Sequence, residues 1–299
     1  MYDHKYKASD FPQELLNLFD RYVHGQIDRR GFLEGAGKFA VGGLTAAAIF
    51  DILRPKYVEA QQIAKDDKRL KTEYAQYQSP MGYGNMKGYL VRPADARGKL
   101  PGIIVVHENR GLNPHIEDVA RRAALEGYVA FAPDALTPLG GYPGTDEKGV
   151  EMQQKLERPK IIEDFVAAAG YLKGRPECNG KIGAVGFCFG GGVVYRLAVR
   201  ISDLAAGVPF YGDVPTAEEA ARIKAPLLVN SAEMDDRINS GWPGLEPVLK
   251  ANNVRYTRYV YPGTQHGFHN DTTPRYDKAA ATLAWQRTVE FFNKNLKAS

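Results

Sequence analysis

Residues 181–192 read KIGAVGFCFGGG. The run 182–186 reads as a strand buried on both faces. A cysteine then stands between two phenylalanines, and three glycines arrive together. Gly186-Phe187-Cys188-Phe189-Gly190 has the form of the nucleophile elbow G-x-S-x-G, with sulfur in place of the hydroxyl. The glycines have a mechanical reason: a nucleophile at a strained turn needs small neighbours, so that strand and helix can approach closely. The helix that starts after Cys188 points its N-terminal N–H groups at the sulfur and favours thiolate. The competing reading is a buried structural cysteine in a glycine-rich crossover, such as a nucleotide-binding turn. No GxGxxG or GxxxxGK(S/T) register fits here.

Outward from the elbow, strand and helix signals alternate from about residue 72 onward, the pattern of an α/β, mostly parallel, doubly wound sheet. Residues 74–78 and 87–92 read as an opening antiparallel pair around MGYGN. Strands follow at 102–107, 128–132, 182–186, 206–210, 226–230 and 255–261. Helices are expected at 116–126, 161–173 and 276–296, the last with apolar residues at 283, 285, 289, 292 and 296. The polar, glycine-rich loop 137–150 is a candidate lid or rim. In a nucleophile-elbow fold the acid and the histidine follow the nucleophile, at the ends of later strands. Asp235 follows the strand in APLLVNSA, and His266 follows the strand in RYTRYVYPG. Ligands of open α/β sheets bind at those carboxyl ends. Asp236 is a rival for the acid and His269 a rival for the base.

A net charge of +4 over 299 residues, with no dense Lys/Arg run among aromatics, gives no nucleic-acid footprint. Two cysteines make neither a disulfide framework nor a CxxC metal pair. The strand between Cys178 and Cys188 spans roughly 20 Å, whereas bridged Cα atoms lie within about 7 Å, so Cys188 reads as a free thiol.

Residues 1–71 form an extension to the catalytic domain, 72–299. Apolar residues at 15, 18, 19, 22 and 23 place one face on a first helix, 11–25, ended by Gly25. Asp28 can cap a second helix, from 29 to about 53, stopped by Pro55. Arg29-Arg30-Gly31-Phe32-Leu33, an apolar run at 39–50 and Val58-Glu59-Ala60 resemble a twin-arginine export signal over 28–60. The other reading is a structural hairpin, packed on the domain or in a homodimer interface, in a cytoplasmic protein. An amphipathic helix ahead of the arginines favours the hairpin over periplasmic export. No run of 18 apolar residues exists, so no membrane-spanning helix is expected.

From about residue 74 to the C-terminus, the chain resembles the dienelactone hydrolase family of α/β-hydrolases. VVHENRGLN (105–113), YVAFAPDAL, KIGAVGFCFGGG, AEMDDRI and YPGTQHGFHND carry the resemblance. It implies an α/β-hydrolase fold with Cys188 as nucleophile, His266 as base and Asp235 as the acid that orients it. Glu108 matches a glutamate that approaches the thiol and helps control its protonation. The backbone N–H groups of Asn109 and Phe189 fall where the family forms its oxyanion hole. Asn270 stands where members that cleave dienelactone have a carboxylate-binding arginine. Arg110 is a candidate replacement cation, or a solvated rim residue. The implied activity is hydrolysis of small carboxylic esters or lactones through a thioester, with no metal or organic cofactor. The alternatives are a thiol peptidase or acyltransferase on the same triad, and a non-catalytic binding protein.

Overall fold

A computed structural model describes residues 4–40 and 44–297. Eight strands form one sheet: β1 Leu70–Ser79, β2 Gly84–Pro93, β3 Leu100–Val106, β4 Val129–Pro133, β5 Cys178–Phe187, β6 Ala206–Phe210, β7 Leu227–Met234 and β8 Tyr256–Gln265. Their order is β1-β2-β4-β3-β5-β6-β7-β8. β1 and β2 pair antiparallel, as does β2 with β4, and the rest are parallel. The helices of eight or more residues are α1 Gln13–Val23, α2 Arg29–Ala36, α3 Ala46–Leu53, α4 Pro114–Leu125, α5 Asp146–Gln153, α6 Arg158–Lys173, α7 Phe189–Arg200, α8 Trp242–Ala251 and α9 Lys278–Phe292.

The period of two along β3 decides the layering. Ile103 and Val105 join the core that holds Ile116 and Val119 of α4 and Ala281 and Phe292 of α9. Ile104 and Val106 join the opposite core, with Phe165 of α6, Val193 of α7 and Leu245 of α8. A strand apolar on both faces must be covered on both, which the crossover helices do. All eight expected strands are present. β1 begins at Leu70, two residues ahead of the expected domain boundary. The last helix keeps part of its expected stripe: Phe292 and Leu296 are buried, but Leu283 is exposed, and Ala281, Ala284 and Thr288 are buried beside them.

The N-terminal segment differs more. The expected helix 29–53 is two helices: α2 ends at Ala36 and a 3-10 turn Gly37–Phe39 follows. α3 starts anew at Thr45, whose hydroxyl accepts from the Ala48 N–H. Residues 41–43 of that expected helix lie outside the described residues. Gly35, Gly37, Gly42 and Gly43 are poor helix formers, and each costs about 1 kcal/mol relative to alanine. The Asp28 cap forms as expected, accepting from the Gly31 N–H at 2.7 Å. Leu15, Phe19, Val23, Phe32, Ile49, Phe50 and Leu53 bury one another in a small core of their own. This strap lies across the carboxyl edge of the sheet. Ala8 N–H donates to the Pro274 carbonyl, Lys56 N–H to that of Thr272, and the Asn109 amide to that of Val23. The loop 137–150 is no free lid: α5 begins within it, and Asp146 binds Tyr57 of the strap at 2.7 Å. No described helix is long and apolar enough to cross a membrane.

Candidate active site

Cys188 sits between β5 and α7 with φ 55° and ψ −116°, a left-handed conformation rare for a residue with a side chain. The corner tolerates no Cβ on either flank. A Cβ on Gly186 would lie 2.2 Å from the Gly190 carbonyl oxygen, and one on Gly190 would lie 2.4 Å from that of Val106. The Cys188 N–H donates to the Phe210 carbonyl at 3.1 Å and ties the corner to β6. The first N–H groups of a helix have no partner within it, and Phe189, the residue after Cys188, opens α7.

Asp235 follows β7 and His266 follows β8, both buried. His266 Nδ1 and Asp235 Oδ2 are 2.6 Å apart. The rivals stand elsewhere. Asp236 is exposed at the start of a four-residue helix. His269 is buried against Phe187 at 4.9 Å between ring centroids, and burial pushes its pKa down to about 3. Cys178 is buried and free, and burial pushes its thiol pKa up.

Three features differ from expectation. Glu108 Oε2 is engaged by Arg110 Nη2 at 3.4 Å and by the Asn270 amide at 3.1 Å. Burial alone would raise its pKa, but the charges of Arg110, His115 and Arg275 hold it below the usual value. Arg110 is neither a rim residue nor a free cation. It is 4 % exposed and also bound to Asp146 at 2.8 Å. It faces a cavity of about 700 Å³ between the strap and residues 142–154, and not the cleft over the thiol. Thirdly, the strap reaches the thiol. His24, the residue after α1, places Nε2 3.3 Å from Cys188 Sγ. Among the described residues, Nε2 of His266 has no hydrogen-bond partner.

His24 is held from behind. Its Nδ1 lies 2.7 Å from the Asp20 carbonyl oxygen and 3.3 Å from the Asp20 carboxylate. Asp20 in turn binds Arg275 at 3.2 Å and Arg237 at 3.6 Å. Burial pushes the Asp20 carboxyl up, but His266, His24 and Arg275 together hold it well below the carboxylate range. A cleft of about 330 Å³ opens over the sulfur, lined among others by His24, Asn109, Tyr211, Arg237 and His266. One nitrogen each of His24 and His266 and the Cys188 sulfur lie within 4.8 Å of one another. The sequence reading missed Asp20, His24, Arg237 and Tyr211. The signal for the first two was the spacing of Asp20, in the last turn of α1, and His24, the residue that caps it, four apart.

Fold and corner define an α/β-hydrolase. Residues 86–296 match the dienelactone hydrolase family, and the chain belongs to it. Residues 3–40 separately match a family described as YqhI-like. The chain is 34 % identical over 230 residues to a Synechocystis sp. protein provisionally named carboxymethylenebutenolidase, covering 70 % of this chain and 92 % of that one. A provisionally named hydrolase fragment of Escherichia coli, YghX, is 55 % identical over 114 residues, 38 % of this chain and 97 % of the fragment. A crystal structure from Klebsiella pneumoniae, provisionally named dienelactone hydrolase, superposes with TM-score 0.66 at 27 % identity, covering 75 % of this chain and 99 % of that one.

Proposed function

We propose that this chain is a cysteine hydrolase of small carboxylic esters or lactones that works through a thioester. The observation carrying this reading is the Cys188 corner: a non-glycine residue held at φ 55° beside the His266–Asp235 pair, at the carboxyl ends of β5, β7 and β8. The Cys188 thiolate attacks the carbonyl carbon. The oxyanion is received by the N–H groups of Phe189 and Asn109, two donors of the kind that commonly contribute about 3–4 kcal/mol each. The alkoxide or enolate leaves, and His266, oriented by Asp235, then takes a proton from the water that cleaves the thioester. Side chains, backbone and water carry every step.

On substrate choice, Asn270 is occupied with Glu108, and Arg110 is neutralised by two carboxylates. The arginines of the cleft wall, Arg237 and Arg158, are likewise paired with carboxylates, Asp20 at 3.6 Å and Asp213 at 2.7 Å. Uncharged lactones and aryl esters are therefore the favoured class, and a panel with and without a carboxylate tests the preference. The homodimer expectation rested on apolar strap faces that needed cover; those faces are covered within the chain, which removes its motive. With the strap folded over the thiol we carry forward the cytoplasmic reading, which fractionation of cells for the full-length chain tests.

The test of the chemistry is Cys188→Ala. It should remove the burst of one leaving group per chain from an activated aryl ester, together with iodoacetamide labelling at the site. Cys178→Ala should retain both. Activity surviving in Cys188→Ala above a few per cent would falsify the thioester route.

A further inference from the structure

Two imidazoles face one thiol, and they are not equivalent. His24 Nε2 is within hydrogen-bonding distance of Sγ at 3.3 Å. His266 is paired to Asp235 through Nδ1, and its Nε2 meets no partner among the described residues. The rings stand 5.0 Å apart. His24 does not plug the cleft; it forms part of its wall. Its position is over-determined: α1 carries it, Asp20 holds its far nitrogen, and the Val23 carbonyl is clamped by Asn109, the residue whose N–H belongs to the expected oxyanion hole. That is the pattern of a base with its orienting carboxylate, made a second time from the other end of the chain.

Resting on the cysteine-hydrolase reading, we propose that His24 is a catalytic residue, a second imidazole supplied by the strap that serves acylation while His266 serves deacylation. In the first half-reaction the Sγ proton passes to His24 Nε2, and the thiolate forms the C–S bond while the carbonyl pair moves onto oxygen. On collapse the C–O bond breaks, and the leaving oxygen takes the proton from His24. In the second half, water gives a proton to His266 Nε2 as its oxygen adds to the thioester. The C–S bond then breaks, and the sulfur regains its proton from His266. The carboxylic acid ionises into solvent, and no proton is left over.

The groups facing His24 are Cys188, His266, Asp20 and Arg237, with Tyr211 against His266 and Arg275 behind Asp20. Burial and His266 oppose a charge on His24. The negative charge that Cys188 acquires and the Asp20 carboxylate outweigh them, and its pKa is raised to about 9. Arg237 Nη2, 3.0 Å from the same Nε2, must turn away when His24 takes the proton; Asp20 lies on its other side, 3.6 Å from its Nε.

Rapid mixing of the full-length protein with a 4-nitrophenyl ester separates the halves. His24→Gln should slow the burst about a hundredfold, the scale of lost general-base catalysis. It should also shift the pH at which iodoacetamide labels Cys188, while an isolated acyl-enzyme still hydrolyses at the parental rate. His266→Ala should keep the burst and stall with the thioester in place. In His24→Ala, added imidazole should restore part of the burst, which a packing role would not allow. An unchanged burst and labelling profile in His24→Gln overturns the inference. A faster burst also overturns it and makes His24 an obstruction. A burst surviving in Cys188→Ala would instead remove the underlying thiol reading, so the two failures are told apart.

Discussion

The sheet and the strap contribute to one site by different physics. The sheet residues stand where chain-local rules put them. β3 and β5 are apolar on both faces, their ends coincide at one edge, and Cys188 and His266 follow from strand ends. The strap has a core separate from the two that cover the sheet, and is held down largely by polar clamps. Gln13 meets Gln265, Asp20 meets Arg275, and the N–H groups of Gln62 and Ile63 donate to Asp118. Continuous apolar burial gives the sheet a cooperative, high-energy opening. Segments tied by partly solvated hydrogen bonds open at lower cost. The contrast predicts a site with one rigid half and one detachable half.

The largest effect should come from the rigid half. Asp235→Asn leaves the shape but disturbs the tautomer and the charge behind His266, and should lower kcat by about 10³–10⁴-fold. Asp236→Asn, at an exposed position on the four-residue helix, should stay within about threefold. Steady-state kinetics on an aryl ester checks both, and the reverse order would transfer the acid to Asp236.

The next effect belongs to the detachable half. Phe32 is fully buried between Phe19, Tyr22 and Phe50. Phe32→Ala should cost the strap about 3–5 kcal/mol. If the halves are as separate as their cores, hydrogen exchange should quicken in residues 8–53 and stay slow in β3 and β5. Equal loss of protection in both would show one cooperative unit. Gly190→Ala should have the smaller and opposite signature. Its Cβ would press on the carbonyls of Val106 and His107, an overpacking that costs about 1–3 kcal/mol, felt in the sheet and the thiol corner and not in the strap.

The same contrast explains what could be read from the sequence. The strands, the elbow and the ends that bring Asp235 and His266 together are written in period-two runs, glycine spacing and chain order. The strap's apolar face was equally legible, since Leu15, Phe19 and Val23 are buried as their spacing requires. Its destination was not. His24 meets a residue 164 positions away, and no local pattern encodes which edge an amphipathic hairpin chooses. Arg110 was misjudged for a related reason: its two carboxylate partners come from Glu108, nearby, and Asp146, in a loop whose folding back over the strap is a tertiary event. The single helix expected at 29–53 failed differently: its apolar run is broken after Ala36, where Gly35 and Gly37 flank the end of α2.

The smallest prediction concerns the clamp on the strap and follows from the sign of two shifts. Asp20 is held well below the carboxylate range in the folded protein, against its burial, by His266, His24 and Arg275. A depressed carboxyl stabilises the docked strap fully above its unfolded value of about 3.9, and that contribution drains away as pH falls from there. His24 is raised to about 9, chiefly against burial and through Cys188 and Asp20. A raised histidine contributes fully below about 6.5 and loses its contribution as pH climbs through the folded value. The strap should therefore be best docked between about pH 4 and 6.5. Each further unit towards acid should lower strap protection factors by up to about tenfold, the weight of one titrating group, with a gentler loss on the alkaline side. The sheet should hold its protection across the first unit in either direction. In Asp20→Asn the acid limb should flatten, because the group that titrates there is gone; an acid limb unchanged in that variant would place the clamp on another carboxyl, with Asp271, bound to Gln62 of the strap, next in line.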